Sequence, residues 1–316
     1  MRLLFLGTSS GTPTRERNVA GAVLRFADGS AWVFDCGEGT QHRLLATDVR
    51  PGRIGRILIT HLHGDHCFGL PGLLASITVH DRGSAPVEVI GPRGLERWWQ
   101  VTRQVTGQGL SFPLHFTALD AAAELGERAG HRLTAVALDH RCPSYGYIVR
   151  EPDRRGRFDP ARAAALGVVP GPDFGRLAAG ETVCTANGAK VAPEAVLGPT
   201  RPGRSIAIFG DAYRPAASPA AVAAALGCDL AVMECTYAAE RQAHARKWRH
   251  STTAMVAEFL AATGIPRVIL THFSSRYTVG DAVVGVDDLV REVEAGCPGA
   301  EVMAAHDGWE FNLAGS

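Results

Sequence analysis

Between Thr60 and His66 the chain reads Thr60-His61-Leu62-His63-Gly64-Asp65-His66, three imidazoles and one carboxylate within six residues. Packing alone gives no reason for that density. In an extended or tightly turning segment His61 and His63 point the same way, while Asp65 and His66 fold round to a second position a few ångströms off. One loop can therefore serve two metal ions. A borderline-soft ion such as Zn²⁺ takes neutral imidazole together with carboxylate, and a catalytic ion needs about three protein ligands plus an open position. Four ligands are too few for two ions, so others must arrive from elsewhere. His140, Asp211 and His272 each stand where a run of strand-forming residues stops. The expected set is five histidines and two aspartates. Two ions about 3.5–4 Å apart would clamp and activate a bridging water for phosphodiester cleavage, so a metal-dependent hydrolase is the expected chemistry.

The elements that must position these groups are legible as alternating short runs. Residues 1–7 read as a strand, and Ala20 to Phe26 with Ala31 to Asp35 read as a hairpin turning at Asp28-Gly29. Arg56 to Thr60 is a strand that delivers the histidine cluster, and Phe68 to Thr78 a helix crossing back over the sheet. Pro86 to Ile90, Arg132 to Leu138, Ser205 to Phe209, Leu230 to Glu234 and Arg267 to Leu270 are further strands. Helices are expected over Leu95 to Val105, Pro219 to Leu226 and from Ser251 or Thr252 as N-cap to Ala262. Between Arg150 and Pro199 the pattern weakens into Pro, Gly, Ala and Arg, which predicts an irregular insertion that is not core and projects from the body. The organisation expected is a catalytic domain from 1–149 and 197–316 with an inserted segment at 150–196.

Composition narrows the class. With 46% hydrophobic and 20% charged residues, 36 glycines and 18 prolines, the chain is an ordinary globular protein rich in turns. Lysine plus arginine equal aspartate plus glutamate at 32 each, so a nucleic-acid partner must be held by local patches. Two such patches exist. Arg150, Arg154, Arg155, Arg157 and Arg162 face Glu151, Asp153 and Asp159, and Arg241, Arg246, Lys247 and Arg249 crowd the residues before His250. The seven cysteines are scattered with no C-x-x-C pair, as buried free thiols in a reducing compartment would be. No secretory leader or membrane-spanning run is expected, which points to a cytoplasmic protein.

The cluster matches residue for residue the H-x-H-x-D-H motif of the metallo-β-lactamase superfamily, through His61, His63, Asp65 and His66. Four more segments narrow the resemblance: Gly7-Thr8-Ser9-Ser10-Gly11-Thr12-Pro13, Pro13-Thr14-Arg15-Glu16-Arg17-Asn18, Phe34-Asp35-Cys36-Gly37-Glu38-Gly39-Thr40-Gln41 and His272-Phe273-Ser274-Ser275-Arg276-Tyr277. Together they resemble the ribonuclease Z family of tRNA 3′-processing endonucleases. The resemblance implies an α/β fold, a four-layer αββα sandwich with the metal site at a sheet edge. It also implies two zinc ions, with Mn²⁺ or Fe as other occupants of the same ligands, and a homodimer in which one subunit grips the precursor tRNA cut by the other. By the same resemblance His61, His63 and His140 hold one ion, Asp65, His66 and His272 the other, and Asp211 bridges them. Asp65 would also orient or deprotonate the water, and the Glu234 and His250 pair would help protonate the departing 3′ oxygen.

The inserted segment gains a meaning from the same family, whose projecting arm carries a Gly-Pro element matched by Pro170-Gly171-Pro172-Asp173-Phe174-Gly175. RNA contacts are therefore expected from Arg154, Arg155, Arg157, Gly171 and Pro172 in the arm, and from Arg15, Arg17, Asn18 and Arg276 in the family-specific loops. Neighbours of the ligands depart from the pattern. The usual Gly-Asp-Thr is Gly210-Asp211-Ala212, the usual His-Glu-Ala-Thr is Met233-Glu234-Cys235-Thr236, and the usual lysine of the P-x-K-x-R-N loop is Arg15. The alternative these departures leave open is a paralogous hydrolase of a small phosphodiester or sulfate ester.

Overall fold

Sixteen short strands alternate with helices along the computed structural model, which describes residues 1–80, 85–277 and 284–313. In chain order the strands are β1 Arg2–Gly7, β2 Gly21–Arg25, β3 Ala31–Cys36, β4 Ile54–Leu58, β5 Val87–Pro92, β6 Leu114–Leu119, β7 Ala123–Arg128 and β8 His131–Leu138. They continue with β9 Ser144–Arg150, β10 Val183–Cys184, β11 Lys190–Val191, β12 Ser205–Phe209, β13 Leu230–Glu234, β14 Arg267–Thr271, β15 Glu301–Ala304 and β16 Glu310–Asn312. The chain divides into two compact units, Met1–Arg150 with the described residues from Ser205 onward, and Glu151–Arg204.

The larger unit holds two seven-stranded sheets, ordered β16-β1-β2-β3-β4-β5-β6 and β15-β14-β13-β12-β9-β8-β7. Each is antiparallel on one side and parallel on the other: β3 to β6 run parallel in the first, β12 to β15 in the second. Parallel strands need crossovers that cover the sheet, so they are buried on both faces and read as unbroken apolar runs. Ser205–Phe209 and Leu230–Glu234 are buried at every position. Three apolar layers follow. Leu3, Phe5, Trp32, Tyr147, Ile206 and Val232 fill the space between the sheets, and the other two layers lie between each sheet and its helices. At about 1.5–3 kcal/mol for each fully buried large apolar side chain, this packing provides the stability against which polar groups can be held out of water. The result is the α/β sandwich of four layers that the family resemblance implied.

Local chemistry sets the element ends. Thr252 caps the helix Thr253–Thr263 by accepting from the Met255 N–H, and Gly264 closes it in the left-handed conformation. The expected helix from Phe68 starts instead at Leu70, because Gly64–Cys67 forms a separate helical turn in front of it. The strands β6, β7, β9, β15 and β16 and the helix Val286–Gly296 carry no reading in the sequence. β6 and β7 are partly exposed, lacking the apolar run that marks an inner strand.

The expected irregular insertion instead holds short regular elements and a small buried cluster of its own. Ala163, Val168, Leu177, Val183, Val191 and Val196 are buried together, with Phe158 and Phe174 packed against them and edge to face with each other at 5.1 Å. Its apolar residues are small and spread over two short helices, Pro160–Ala165 and Pro172–Ala178, and the β10–β11 pair, so no periodicity betrays them. Among the described residues no helix is long and apolar enough to cross a membrane.

Candidate metal centre

All the chemistry gathers where strands end. His61 lies three residues past the end of β4, and His63 is the N-cap of the turn Gly64–Cys67 that carries Asp65 and His66. His140 follows β8, Asp211 follows β12, Glu234 closes β13 and His272 follows β14. β12, β13 and β14 are parallel neighbours, and the crevice outside the carboxyl ends of such strands is where open α/β sheets form their sites. Glycine permits the close approach of loops, between the two sheets at Gly210 and within the first sheet at Gly37. A Cβ on Gly210 would sit 2.4 Å from that of Thr60, and one on Gly37 would sit 2.2 Å from the Asp65 carbonyl oxygen.

The seven expected ligands converge. His61 Nε2 lies 2.9 Å from His63 Nδ1, and His140 Nε2 lies 3.2 Å from the same atom. A second group forms beside it, with His66 Nε2 and His272 Nε2 3.2 Å apart and each 3.4 Å from Asp65 Oδ2. Asp211 stands between the two. Its Oδ2 is 3.6 Å from Nε2 of both His61 and His66 and 3.9 Å from that of His140, while its Oδ1 is 3.4 Å from His272 Nε2. Imidazole lone pairs facing one another at such distances repel unless a cation or proton lies between them, and a mixed nitrogen and oxygen donor set of this kind suits a divalent ion.

Electrostatics agrees with that reading. Burial and the neighbouring imidazoles hold His61 well below the ordinary histidine value, and burial likewise lowers His63 and His140. The lowering favours the neutral ring, the form that ligates. Around His66 burial again resists charge, but Asp211, Asp35 and Asp65 overcome it and hold the ring well above the usual value. Three carboxylates focused on one ring mark a place built for positive charge.

The far side of each ring is also held, by groups to which the sequence assigned no such role. His66 Nδ1 donates to Asp35 Oδ2 at 2.7 Å, His140 Nδ1 to the Arg249 carbonyl at 2.7 Å, and His272 Nδ1 to Thr236 Oγ1 at 3.1 Å. His61 Nδ1 lies 3.1 Å from Thr60 Oγ1, which itself donates to Asp35 at 2.9 Å. His63 Nε2 faces the Cys142 thiol at 3.7 Å. Such partners fix which nitrogen is free to ligate. Asp35, Arg249 and His272 all have positive φ, 56°, 59° and 59°. Each left-handed residue costs about 1–2 kcal/mol, and all three belong to this centre. A usable signal existed for Asp35: a ligating histidine commonly donates to a carboxylate, and Asp35 ends a strand beside the histidine-rich loop.

Glu234 and His250 sit against the same centre. His250 Nδ1 is 3.2 Å from Glu234 Oε1 and 3.5 Å from Asp211 Oδ2. Burial opposes charge on this imidazole, and the two carboxylates outweigh it and raise its pKa to about 9. Glu234 is itself fixed, accepting from the Ala212 N–H at 2.8 Å and from Thr236 Oγ1 at 2.6 Å. Ala212 thus serves through its backbone, and its carbonyl accepts from Ser251 Oγ at 2.7 Å.

The residues expected to touch RNA fall into two kinds. Arg17 is committed inward, donating to Thr8 Oγ1 and the Ala305 carbonyl at 2.7 Å each and lying over the Phe273 ring. Asn18 likewise ties the Glu38 carbonyl and, through its N–H, Asp307. Arg15 is exposed, and Arg276 is exposed beside the Tyr237 ring with its guanidinium 5.4 Å from the centroid. In the smaller unit Arg155, Arg157, Gly171 and Pro172 are exposed and Arg154 is half-buried. Gly171 has φ 156°, which side chains rarely adopt, and Pro172 begins the next helix.

Comparison with known proteins bears on this arrangement. The chain is 41% identical over 309 residues to a ribonuclease Z of Synechococcus sp. (strain WH7803), covering 96% of this chain and 94% of that one. It is 41% identical over 304 residues to a ribonuclease BN of Cronobacter sakazakii, covering 96% and 97%. Among solved structures, the short form of human tRNase Z superposes with a TM-score of 0.69 at 27% identity, over 99% of this chain and 100% of the other. A family model described as the anti-Pycsar protein Apyc1 matches residues 1–107, the part that contains the histidine-rich loop.

Proposed function

The chain belongs to the ribonuclease Z family, and from that premise we propose how it acts: as a zinc-dependent endoribonuclease that removes the 3′ trailer from precursor tRNA at a dinuclear centre. The observation that carries this reading is the convergence of two three-residue ligand groups on Asp211, with the Glu234 and His250 pair against them. His61 Nε2, His63 Nδ1 and His140 Nε2 would hold one ion, and Asp65 Oδ2, His66 Nε2 and His272 Nε2 the other, with Asp211 shared. Divalent ions held by these residues would supply a water of lowered pKa and offset charge on the phosphodiester.

The remaining work belongs to side chains. Asp65, steadied by the Gly11 N–H at 2.8 Å, orients the attacking water and takes its proton. His250 has Nδ1 occupied by Glu234, which leaves Nε2 to deliver a proton to the departing 3′ oxygen. The smaller unit, with Arg154, Arg155, Arg157, Gly171 and Pro172, binds the body of the tRNA through phosphate contacts. Arg15 and Arg276 contact the acceptor end. In a homodimer the arm of one subunit would grip the tRNA cut by its partner.

The test is to incubate purified protein with a 3′-extended precursor tRNA and, separately, with bis(p-nitrophenyl) phosphate, and to map the cut. Cleavage after the discriminator nucleotide is expected. Hydrolysis of the small ester with the precursor left whole would overturn the reading in favour of a small-ester hydrolase.

A further inference from the structure

The basic patch before His250 is narrower in three dimensions than in sequence. Arg249 is ion-paired with Asp139 and lies over the Tyr213 ring, and Arg241 pairs with Glu240. What remains is an exposed aromatic ringed by cations. Trp248 is 40% exposed, with the Arg141 guanidinium and the Lys247 ammonium each 5.0 Å from its ring.

This cluster is tied to the metal centre at several points. Arg141 follows the ligand His140, and Trp248 stands two residues before His250. The His140 and His250 rings are 5.1 Å apart. The Arg249 carbonyl accepts from His140 Nδ1, the Arg249 side chain grips Asp139, and Arg141 covers Trp248, so residues 139–141 and 248–250 are clamped together. The left-handed turn at Arg249 ends the helix Gln242–Trp248 and separates the half-buried His250 from the exposed indole.

We propose that Trp248 and Arg141 form a stacking subsite for one unpaired nucleobase of the RNA next to the scissile phosphodiester, with Lys247 on the adjoining phosphate. The proposal rests on the reading of the chain as a tRNA 3′ endonuclease. A wide indole kept at the rim of a metal centre offers what a single-stranded base needs, a flat apolar face, and a guanidinium plane is itself a surface on which bases stack. The lysine ammonium, on a flexible stem, can leave the ring for a phosphate. The base comes either from the trailer or from the discriminator position, and the two are separable by experiment.

The test pairs protein and RNA changes. Precursor tRNAs carrying an abasic residue at the discriminator position or at the first or second trailer nucleotide are cleaved by the unaltered protein and by Trp248→Ala, Trp248→Phe and Arg141→Ala. For the unaltered protein the abasic change at one position should raise KM about tenfold, within the range of base–aromatic stacking. With Trp248→Ala that same change should have no further effect, and Trp248→Phe should restore part of the dependence. The position affected identifies the base. Equal abasic penalties in the unaltered and Trp248→Ala proteins, or no penalty at any position, would overturn the subsite. If the unaltered protein cleaves no precursor tRNA, the failure lies in the functional reading and not in the stacking proposal. Trp248→Phe supplies the comparison should Trp248→Ala fail to fold.

Discussion

The Thr236 hydroxyl donates to Glu234 Oε2 across 2.6 Å, and its oxygen lies 3.1 Å from Nδ1 of His272. One hydroxyl therefore connects the ring proposed to bind metal to the carboxylate that holds His250. The proposed ligation and proton delivery thus share one frame, and they can still be separated by substitution.

His250→Ala should slow cleavage of precursor tRNA by about 10²–10⁴-fold, the usual contribution of a positioned acid, with bound metal unchanged. Single-turnover rates and elemental analysis on the same preparation check both halves. Loss of metal in this variant would make His250 a ligand and not a proton donor.

Asp35→Ala removes the partner of His66 Nδ1 and of both the Thr60 N–H and hydroxyl. Metal affinity should fall about 10–100-fold although no ligand has been touched. Competition against a chromophoric chelator measures it, and an unaltered affinity would refute the supporting role of this carboxylate.

Stripping the metal should remove activity and lower the melting temperature, because an ion that binds only the folded chain stabilises it by mass action. Adding Zn²⁺ back to the chelated protein should restore both, whereas His63→Ala should respond weakly to the same addition. A melting temperature indifferent to chelation would count against these residues as a built site.

In the smaller unit Arg204 Nε donates to Glu151 Oε2 at 2.6 Å and its Nη2 reaches the other oxygen. Burial would raise the Glu151 pKa, but the hydrogen bonds and charge of Arg204 prevail and lower it below the ordinary 4.5. A carboxylate depressed on folding contributes stability above its unfolded value and loses it as pH falls through the folded one. Limited proteolysis of 151–204 should accelerate below about pH 4.5. Glu151→Gln should already be susceptible at pH 7, by about 1–2 kcal/mol of local stability.

Arg150 and Ser205 are directly paired across β9 and β12, so a tight turn can replace residues 151–204 without breaking the sheet. That deletion should abolish cleavage of precursor tRNA and spare bis(p-nitrophenyl) phosphate hydrolysis. Equal loss of both would show that the segment supports the centre and does not serve to bind RNA.

The sequence by itself determined which histidines and aspartates stand at the strand ends, and most of the inner strands. His61, His63, Asp65 and His66 are local, and β12, β13 and β14 are apolar runs that stop at Asp211, Glu234 and His272, so a period of burial and its interruption can be read without coordinates. Tertiary structure alone decided the rest. Thr236, Cys142 and the Arg249 carbonyl carry no periodic signal, since their role depends on a partner brought near from elsewhere in the chain. The small core of the inserted unit was invisible for a related reason: valines and alanines scattered over short elements form a cluster only after the chain has folded back on itself. Arg17 shows the converse. As sequence it is a free cation beside a loop, and the fold spends it on Thr8, Ala305 and Phe273, because a guanidinium half-withdrawn from water must find acceptors inside.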